Sequence, residues 1–292
     1  MGEELESVAC ALCSGQDSRV VIRGPGALQV VQCRHDGLLY MSPRPQAKDT
    51  RNFHRHFVRE DNLVLFDAYR RRVLQREAAA IKRRRNSGTL LDVGCGTGTF
   101  FENFDARHWR LYGVDTSRLG VEVARERYQT EAFCGTLQEA QYAPGSFDVV
   151  TVLDTLYYCS DPVSMIGEAH RVLKDDGVLA VEVPGYRYTL FRDKGPVCWL
   201  LDGKRMRGFT SSHHLYYFAP KTLKLLLTSA GFRIIEMIPE QASLAQAWFG
   251  SCLNEIHFLL AKALFSASRG RVSIAGKEFY LAVKAHPGIR HC

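Results

Sequence analysis

The run Leu90-Leu91-Asp92-Val93-Gly94-Cys95-Gly96-Thr97-Gly98-Thr99-Phe100 constrains this chain more than any other stretch of it. Thr89 to Val93 reads as a buried parallel strand. The G-x-G-x-G that follows is a turn whose backbone approaches something closely, because glycine tolerates φ > 0 and leaves room against the main chain. Seventeen positions after Gly98, a second apolar strand, Leu111-Tyr112-Gly113-Val114, ends in Asp115. An open α/β sheet places there the carboxylate that holds a ribose diol. Strand, glycine turn, helix, strand and acid together make a nucleoside-binding half-fold.

A dinucleotide site is built on G-x-G-x-x-G, whose third glycine lets helix and strand pack below a pyrophosphate. Here Thr99 stands in that place and Gly98 falls one position early. The resulting D-x-G-C-G-T-G resembles the first motif of class I S-adenosylmethionine-dependent methyltransferases. The resemblance continues in the family's order. Ser117 caps a helix reaching about Tyr128, and Phe133-Cys134-Gly135-Thr136-Leu137 gives a third strand and its exit loop. Ser146-Phe147-Asp148-Val149-Val150 opens a fourth strand, and Asp161-Pro162 starts a further helix. Asp175-Asp176-Gly177 turns into a fifth strand, Val178 to Val183, a sixth runs from Arg233 to Ile238, and Glu278 to Lys284 is the seventh.

That resemblance implies an α/β protein with a Rossmann-like seven-stranded sheet, its last strand antiparallel and helices on both faces, plus a small N-terminal β ribbon. It also implies S-adenosyl-L-methionine as cofactor and S-adenosyl-L-homocysteine as product. The matching cofactor positions are Asp92, Gly94, Cys95, Gly96, Gly98, Asp115, Thr116, Thr136 and Leu137. Asp154, near the end of the fourth strand, either touches the methionine part of the cofactor or is structural.

The N-terminal segment reads as a separate unit. Cys10-Ala11-Leu12-Cys13 and Cys33-Arg34-His35-Asp36-Gly37 flank two alternating strands and lead into Pro43-Arg44-Pro45. Two knuckles at hairpin ends are how a zinc ribbon gathers four tetrahedral ligands. Many methyltransferases of the resembled group begin with such an element, but with a fourth cysteine where this chain has Asp36. The candidate metal set is therefore Cys10, Cys13, Cys33 and Asp36, weaker than four thiolates, with His35 as a substitute ligand. The alternative is a ribbon that has lost its zinc and persists as a packing hairpin. The expected division is a ribbon over 1–45, a helical linker over 46–88 and a methyltransferase domain over 89–292. A lid is expected at about 185–218 and a helical insertion at about 240–270.

Acceptor chemistry belongs to the segment after the fifth strand. Trp199, His213, His214, Tyr216, Tyr217 and Phe218 fall there, in a connection long enough to be a lid. The family's Glu-His pair after the fourth strand is replaced by Leu156-Tyr157-Tyr158-Cys159. His214, with His213 second, is the candidate general base. Tyr157, Tyr158, Trp199 and Tyr217 are candidate acceptor contacts, and the tyrosine faces suit a cationic sulfonium. The reading is methyl transfer to a small molecule: a hydroxyl oxygen of a sugar, polyketide, quinone-type or lipid-like metabolite. Nitrogen or carbon methylation and a non-catalytic binding protein are the alternatives.

Composition limits the partners. The net charge of +7 is concentrated in Arg70-Arg71-Arg72, Arg76 and Lys82-Arg83-Arg84-Arg85. This run reads as a solvated helix face, with an acidic substrate or an anionic membrane surface as alternatives. It lacks the aromatics and module of a nucleic-acid binder, so no nucleic acid is expected. Leu244, Trp248, Phe249, Leu253, Ile256, Leu259, Leu260 and Leu264 make the late insertion amphipathic. That predicts a helix pair packing on the lid or another subunit, or a contact with lipid or a membrane surface. The first residues are acidic without an apolar core, and the nine cysteines are scattered. Both predict a cytoplasmic chain with reduced or metal-bound thiols.

Overall fold

The computed structural model describes residues 4–24, 26–46, 60–194, 214–242 and 251–285, the side chains of 60–69, 191–194 and 251–253 excepted. Two small antiparallel pairings open the chain. Strand β1 (Leu5–Glu6) pairs with β5 (Arg44–Pro45), and β2 (Ser18–Arg23), β3 (Gln29–Cys33) and β4 (Leu39–Met41) form a meander. Helix α1 (Glu60–Arg84) then leads into the main sheet.

That sheet contains β6 (Gly88–Val93), β7 (Trp109–Asp115), β8 (Glu131–Cys134), β9 (Phe147–Leu153), β10 (Leu173–Pro184), β12 (Phe232–Glu240) and β13 (Lys277–Lys284). Their order is β12-β13-β10-β9-β6-β7-β8, and β13 runs antiparallel to both its neighbours while the rest share one direction. The chain winds outward in opposite senses from β6 and β9. A crevice therefore opens beyond their C-terminal ends, where open α/β sheets bind ligands. Alternation along the buried strands feeds two cores. Leu91, Val150, Val152 and Val181 pack with Ile166 and Ala169 of α3 (Pro162–Val172) and Leu223 and Leu226 of α5 (Pro220–Ser229). Leu90, Val149, Ala180 and Leu281 pack on the other face with Leu74, Ala78 and Ile81 of α1.

Several local expectations hold in detail. The side chain of Ser117 accepts a hydrogen bond from the Gly120 amide at the start of α2 (Arg118–Tyr128), and Asp161 caps α3 through Ser164. The crossover after the glycine loop differs. It holds only a 3₁₀ turn, Thr99–Asn103, instead of a full helix. Phe100, Phe101 and Phe104 are all buried, Phe104 edge-on to Trp109 at 5.0 Å. The turn stops at Phe104, whose backbone is extended (φ −125°, ψ 128°) and whose amide donates to the Phe101 carbonyl.

Helix α1 lies along a sheet face through Val73, Leu74 and Ile81; Leu63, Phe66 and Tyr69 have side chains outside the described set. Most of its cations lie on the solvated face expected of them, Arg71, Arg72, Lys82, Arg83 and Arg84 being exposed, and surface ion pairs run along it, whereas Arg70 is nearly buried. Arg70 meets Asp154 and Glu182, Arg71 meets Glu102, Arg76 meets Glu240, Arg83 and Arg84 meet Glu236, and Arg85 meets Asp148 and Asp176.

The ribbon is joined to the end of the segment expected as a lid. Strand β11 (Tyr216–Tyr217) pairs with β4 as the fourth strand of its sheet, Tyr216 opposite Tyr40 and Tyr217 opposite Leu39. Helix α4 (Tyr186–Lys194) follows β10, and α6 (Ser251–Ala267) fills part of the late insertion, burying Phe258 and Ala261 while Leu259 and Leu260 are exposed. No helix among the described residues is long and apolar enough to cross a membrane.

Candidate active site

The glycine loop spends its amides internally. Gly94 and Cys95 donate to the Val114 carbonyl at 2.7 and 3.1 Å, Gly98 donates to Cys95, and Gly96 donates to Asp115 Oδ2 at 2.8 Å. No outward row of N–H groups remains from these four positions to cradle phosphates, and the 3₁₀ turn behind them has little macrodipole to offer. The loop is an aperture, not an anion nest. A β-carbon at Gly96 (φ +52°) would meet nothing within 4 Å, so the hollow lies on that side. Gly94 and Gly98 have packing reasons instead: β-carbons there would strike Thr155, and Phe101 with Tyr128.

Two carboxylates stand by this hollow, Asp92 buried and Asp115 half-buried. Asp115 accepts from Gly96 and from Ser117 N at 2.7 Å, and burial pushes its carboxyl up against those donors. Each oxygen retains a lone pair for a diol. Asp92 accepts from Thr151 Oγ1 at 2.6 Å, yet burial raises it to about 6. Cys95 is buried under Gly113, so it contributes backbone only. Thr116 is half-buried at the rim. The hydroxyl and amide of Thr136 are both engaged by Glu139, and the Leu137 side chain is sealed in the core.

Beyond the end of β9 the acceptor candidates converge. The His214 ring is buried against Tyr157 and Tyr158, with centroids 4.4 and 5.1 Å away, and Tyr217 lies at 5.7 Å. The Leu215 amide donates to the Tyr157 carbonyl at 2.9 Å, which ties the lid to this turn. Trp199 and His213 lie outside the described residues.

Beneath the cage is an ionic cluster that the sequence reading missed. Asp154, in left-handed backbone (φ +52°), accepts from Tyr157 Oη at 2.8 Å and pairs with Arg70 and Lys277. Against burial, those two cations hold its carboxyl well below the usual range. Glu182 shares both cations, 3.0 Å from Arg70 and 2.7 Å from Lys277. Non-glycine strain of this kind collects at functional sites. The clearest further signal in the sequence was Glu182, a lone charge within the apolar run Val178–Val183.

In the ribbon, the ligand atoms of Cys10, Cys13, Cys33 and Asp36 all lie within 4.8 Å of one another. Cys10 Sγ is 3.1 Å from Asp36 Oδ2, and Cys13 Sγ is 3.5 Å from Cys33 Sγ. A tetrahedron with Zn–S bonds of about 2.3 Å has edges of about 3.8 Å, so this donor set fits zinc.

A sheet with one antiparallel strand, an aperture without a phosphate nest and a half-buried acid after the second strand define the class I S-adenosylmethionine-dependent methyltransferase fold. Residues 66–237 match the sequence model of a methyltransferase domain family, and the chain belongs to that family. It is 38% identical over 96 residues to the ubiquinone biosynthesis O-methyltransferase of Pseudomonas paraeruginosa, covering 30% of this chain and 41% of that one. It is 26% identical over 218 residues to the demethylmenaquinone methyltransferase of Oceanobacillus iheyensis, covering 66% and 92%. The structure of magnesium protoporphyrin IX methyltransferase from Synechocystis with bound S-adenosylhomocysteine superposes with a TM-score of 0.53 at 14% identity, over 81% of this chain and 100% of that one. The chain thus spans about two fifths of the length of the ubiquinone relatives it matches.

Proposed function

We propose that the protein transfers the methyl group of S-adenosylmethionine to a hydroxyl oxygen of a quinone-type phenol. The observation that carries this reading is the His214 cage of Tyr157, Tyr158 and Tyr217 beyond the end of β9, on the ligand-binding edge of the sheet. The names of the quinone-pathway relatives support the acceptor class. Asp115 would hold the ribose diol, the Gly96 side of the loop would admit the amino-acid part, and the Leu137 backbone would flank the base. When bound, the cofactor supplies an electrophilic methyl on a sulfonium sulfur.

The protein supplies geometry and a proton acceptor. Tyrosine walls exclude water and align the phenol, a form of positioning that contributes about 7–11 kcal/mol when the pose is right. His214 takes the phenolic proton as the new oxygen–carbon bond forms and the carbon–sulfur bond breaks; the released product is a neutral thioether. General-base help of this kind contributes about 10²–10⁴ in rate. Tyr157, fixed through Asp154 to Arg70 and Lys277, keeps the imidazole oriented.

Calorimetry with S-adenosylmethionine, followed by methyl transfer to catechol, tests the reading. Saturable binding is expected, with His214→Ala lowering kcat by about 10²-fold or more while cofactor affinity stays within twofold. No saturable binding overturns the assignment; normal turnover in the variant removes His214 from it.

We also infer that the ribbon holds one zinc ion through Cys10, Cys13, Cys33 and Asp36, supported by the closeness of their ligand atoms.

A further inference from the structure

We propose that α6 is a pairing helix: its outward apolar face takes a second copy of this chain, the two α6 helices lying antiparallel about a two-fold axis. The inference does not depend on the identity of the acceptor. The inner face of α6 is already anchored. Asn254 Nδ2 donates to the Ala242 carbonyl at 3.2 Å, the His257 ring lies 5.2 Å from Tyr188 of α4, and buried Phe258 lies under the Arg76 guanidinium. The opposite face is apolar as well. Ile256, Leu259, Leu260 and Leu264 are 39–64% exposed, and Ala263 and Ala267 are exposed beside them. At 3.6 residues per turn these six fall within an arc of about 140°, and no other described side chain of the helix enters it. Lys262 turns its ammonium to the Phe258 ring, 5.4 Å away, and Glu255 and Ser266 complete a narrow polar strip to one side. A helix that is apolar on two opposite sides belongs between two packed partners. A contiguous exposed apolar patch is the mark of an interaction surface.

Size and charge name the partner. Ile256, Leu260, Ala263 and Ala267 are spaced 4, 3 and 4 apart, the seam of a coiled coil, with Leu259 and Leu264 flanking it. A parallel pair would stack Leu260 on its own copy and leave gaps at two successive alanine layers. An antiparallel pair sets Leu260 against the partner's Ala263 and Ile256 against the partner's Ala267, so each layer joins one large and one small residue. It also brings Glu255, at one end of the exposed face, toward the partner's Arg269 and the partner's Arg271, both exposed past the other end. Each end therefore complements the opposite end of an identical chain, as a two-fold contact requires. A helix that lies on a membrane carries lysine and arginine along its polar face. Here that strip holds Glu255, Lys262 and Ser266.

Sedimentation of the full-length protein tests the pairing. The mass is expected to double between about 1 and 100 μM, the weak range that suits a short seam. Leu260→Lys and Ala263→Glu change exposed positions and should keep the far-ultraviolet circular dichroism of the unaltered protein. Each alone should stay monomeric across that range. Mixed in equal amounts they should form a heterodimer, because the lysine of one variant then faces the glutamate of the other across an otherwise unaltered seam. Unaltered protein that is still monomeric at the top of the range overturns the proposal, and so does a dimer that persists in both variants. A mixture that fails to pair overturns the antiparallel arrangement. Binding of monomers to phosphatidylglycerol vesicles, lost in Leu260→Lys, would give the face to lipid instead.

Discussion

Glu77 is the least comfortable residue of the fold. It is fully buried on α1, and neither carboxyl oxygen has a hydrogen-bond partner among the described residues. The neighbouring cations Arg70 and Lys277 are already shared between Asp154 and Glu182. A third carboxyl in the same cluster must share those cations with two others, and burial with Glu182 nearby raises it well above the ordinary value, toward the protonated form. The native state then binds a proton that the unfolded chain has lost. Stability from this group is complete below the unfolded carboxylate range and falls as pH rises toward the folded value. Glu77→Gln should therefore match the unaltered protein in urea unfolding at about pH 4 and exceed it increasingly toward pH 8. A gap that does not grow with pH would show Glu77 ionised in the fold. Asp115 poses the opposite case, a carboxylate whose partners are backbone amides and whose spare lone pairs face the hollow. Asp115→Ala should weaken S-adenosylmethionine binding by about 1–3 kcal/mol in calorimetry, and unchanged affinity would mean that the ribose lies elsewhere.

The glycine loop separates folding from binding at the level of an element. Gly96→Ala pays for left-handed backbone, about 1–2 kcal/mol, but its methyl group meets no protein atom. It should fold, with a modest loss in Tm, and lose cofactor affinity at least tenfold because the methyl enters the hollow. Gly94→Ala drives a β-carbon into Thr155 and should lose stability first. Cofactor affinity untouched in Gly96→Ala would place the ligand on another side of the loop. This loop, the strands around it, the Ser117 and Asp161 caps and Asp115 were legible because each signal is local: a period, a turn residue, a cap. What was illegible is non-local. Arg70 reads as one more surface cation in a basic run, and its partners Asp154 and Glu182 come from distant strands. The pairing of Tyr216 with Tyr40 depends on a two-residue strand that no periodicity marks. The 3₁₀ crossover reads as a helix because Phe100, Phe101 and Phe104 keep helical spacing, and nothing local in the sequence marks the extended backbone at Phe104 that ends the turn.

Across the whole molecule, the ribbon and the acceptor cage share one core. Cys10, Cys33, Leu38 and Tyr40 pack in the same cluster as Tyr157, Leu215, Tyr216 and Phe218. Arg44 strengthens the joint, donating to the Ser160 carbonyl at 3.2 Å and to Tyr216 Oη at 3.1 Å while pairing with Glu6. If Cys10, Cys13, Cys33 and Asp36 hold zinc, removing it loosens β3 and β4, and with them the strand that carries Tyr217. In the hydrogen bonds of Gly94, Cys95, Gly96 and Gly98 among the described residues, the loop is tied to β7 and Asp115. Metal loss should therefore act unequally on the two substrates. Elemental analysis is expected to find about one zinc per chain. Chelation, or Cys33→Ser, should speed amide exchange at Leu215–Phe218 and raise the KM for a catechol several-fold, with the Kd for S-adenosylmethionine held within twofold. Asp36→Cys should resist chelation better, because a fourth thiolate binds zinc more tightly than a carboxylate. Cofactor affinity that falls in step with acceptor affinity would mean that the ribbon supports the whole sheet; zinc-free protein with an unchanged lid would reduce it to a packing hairpin.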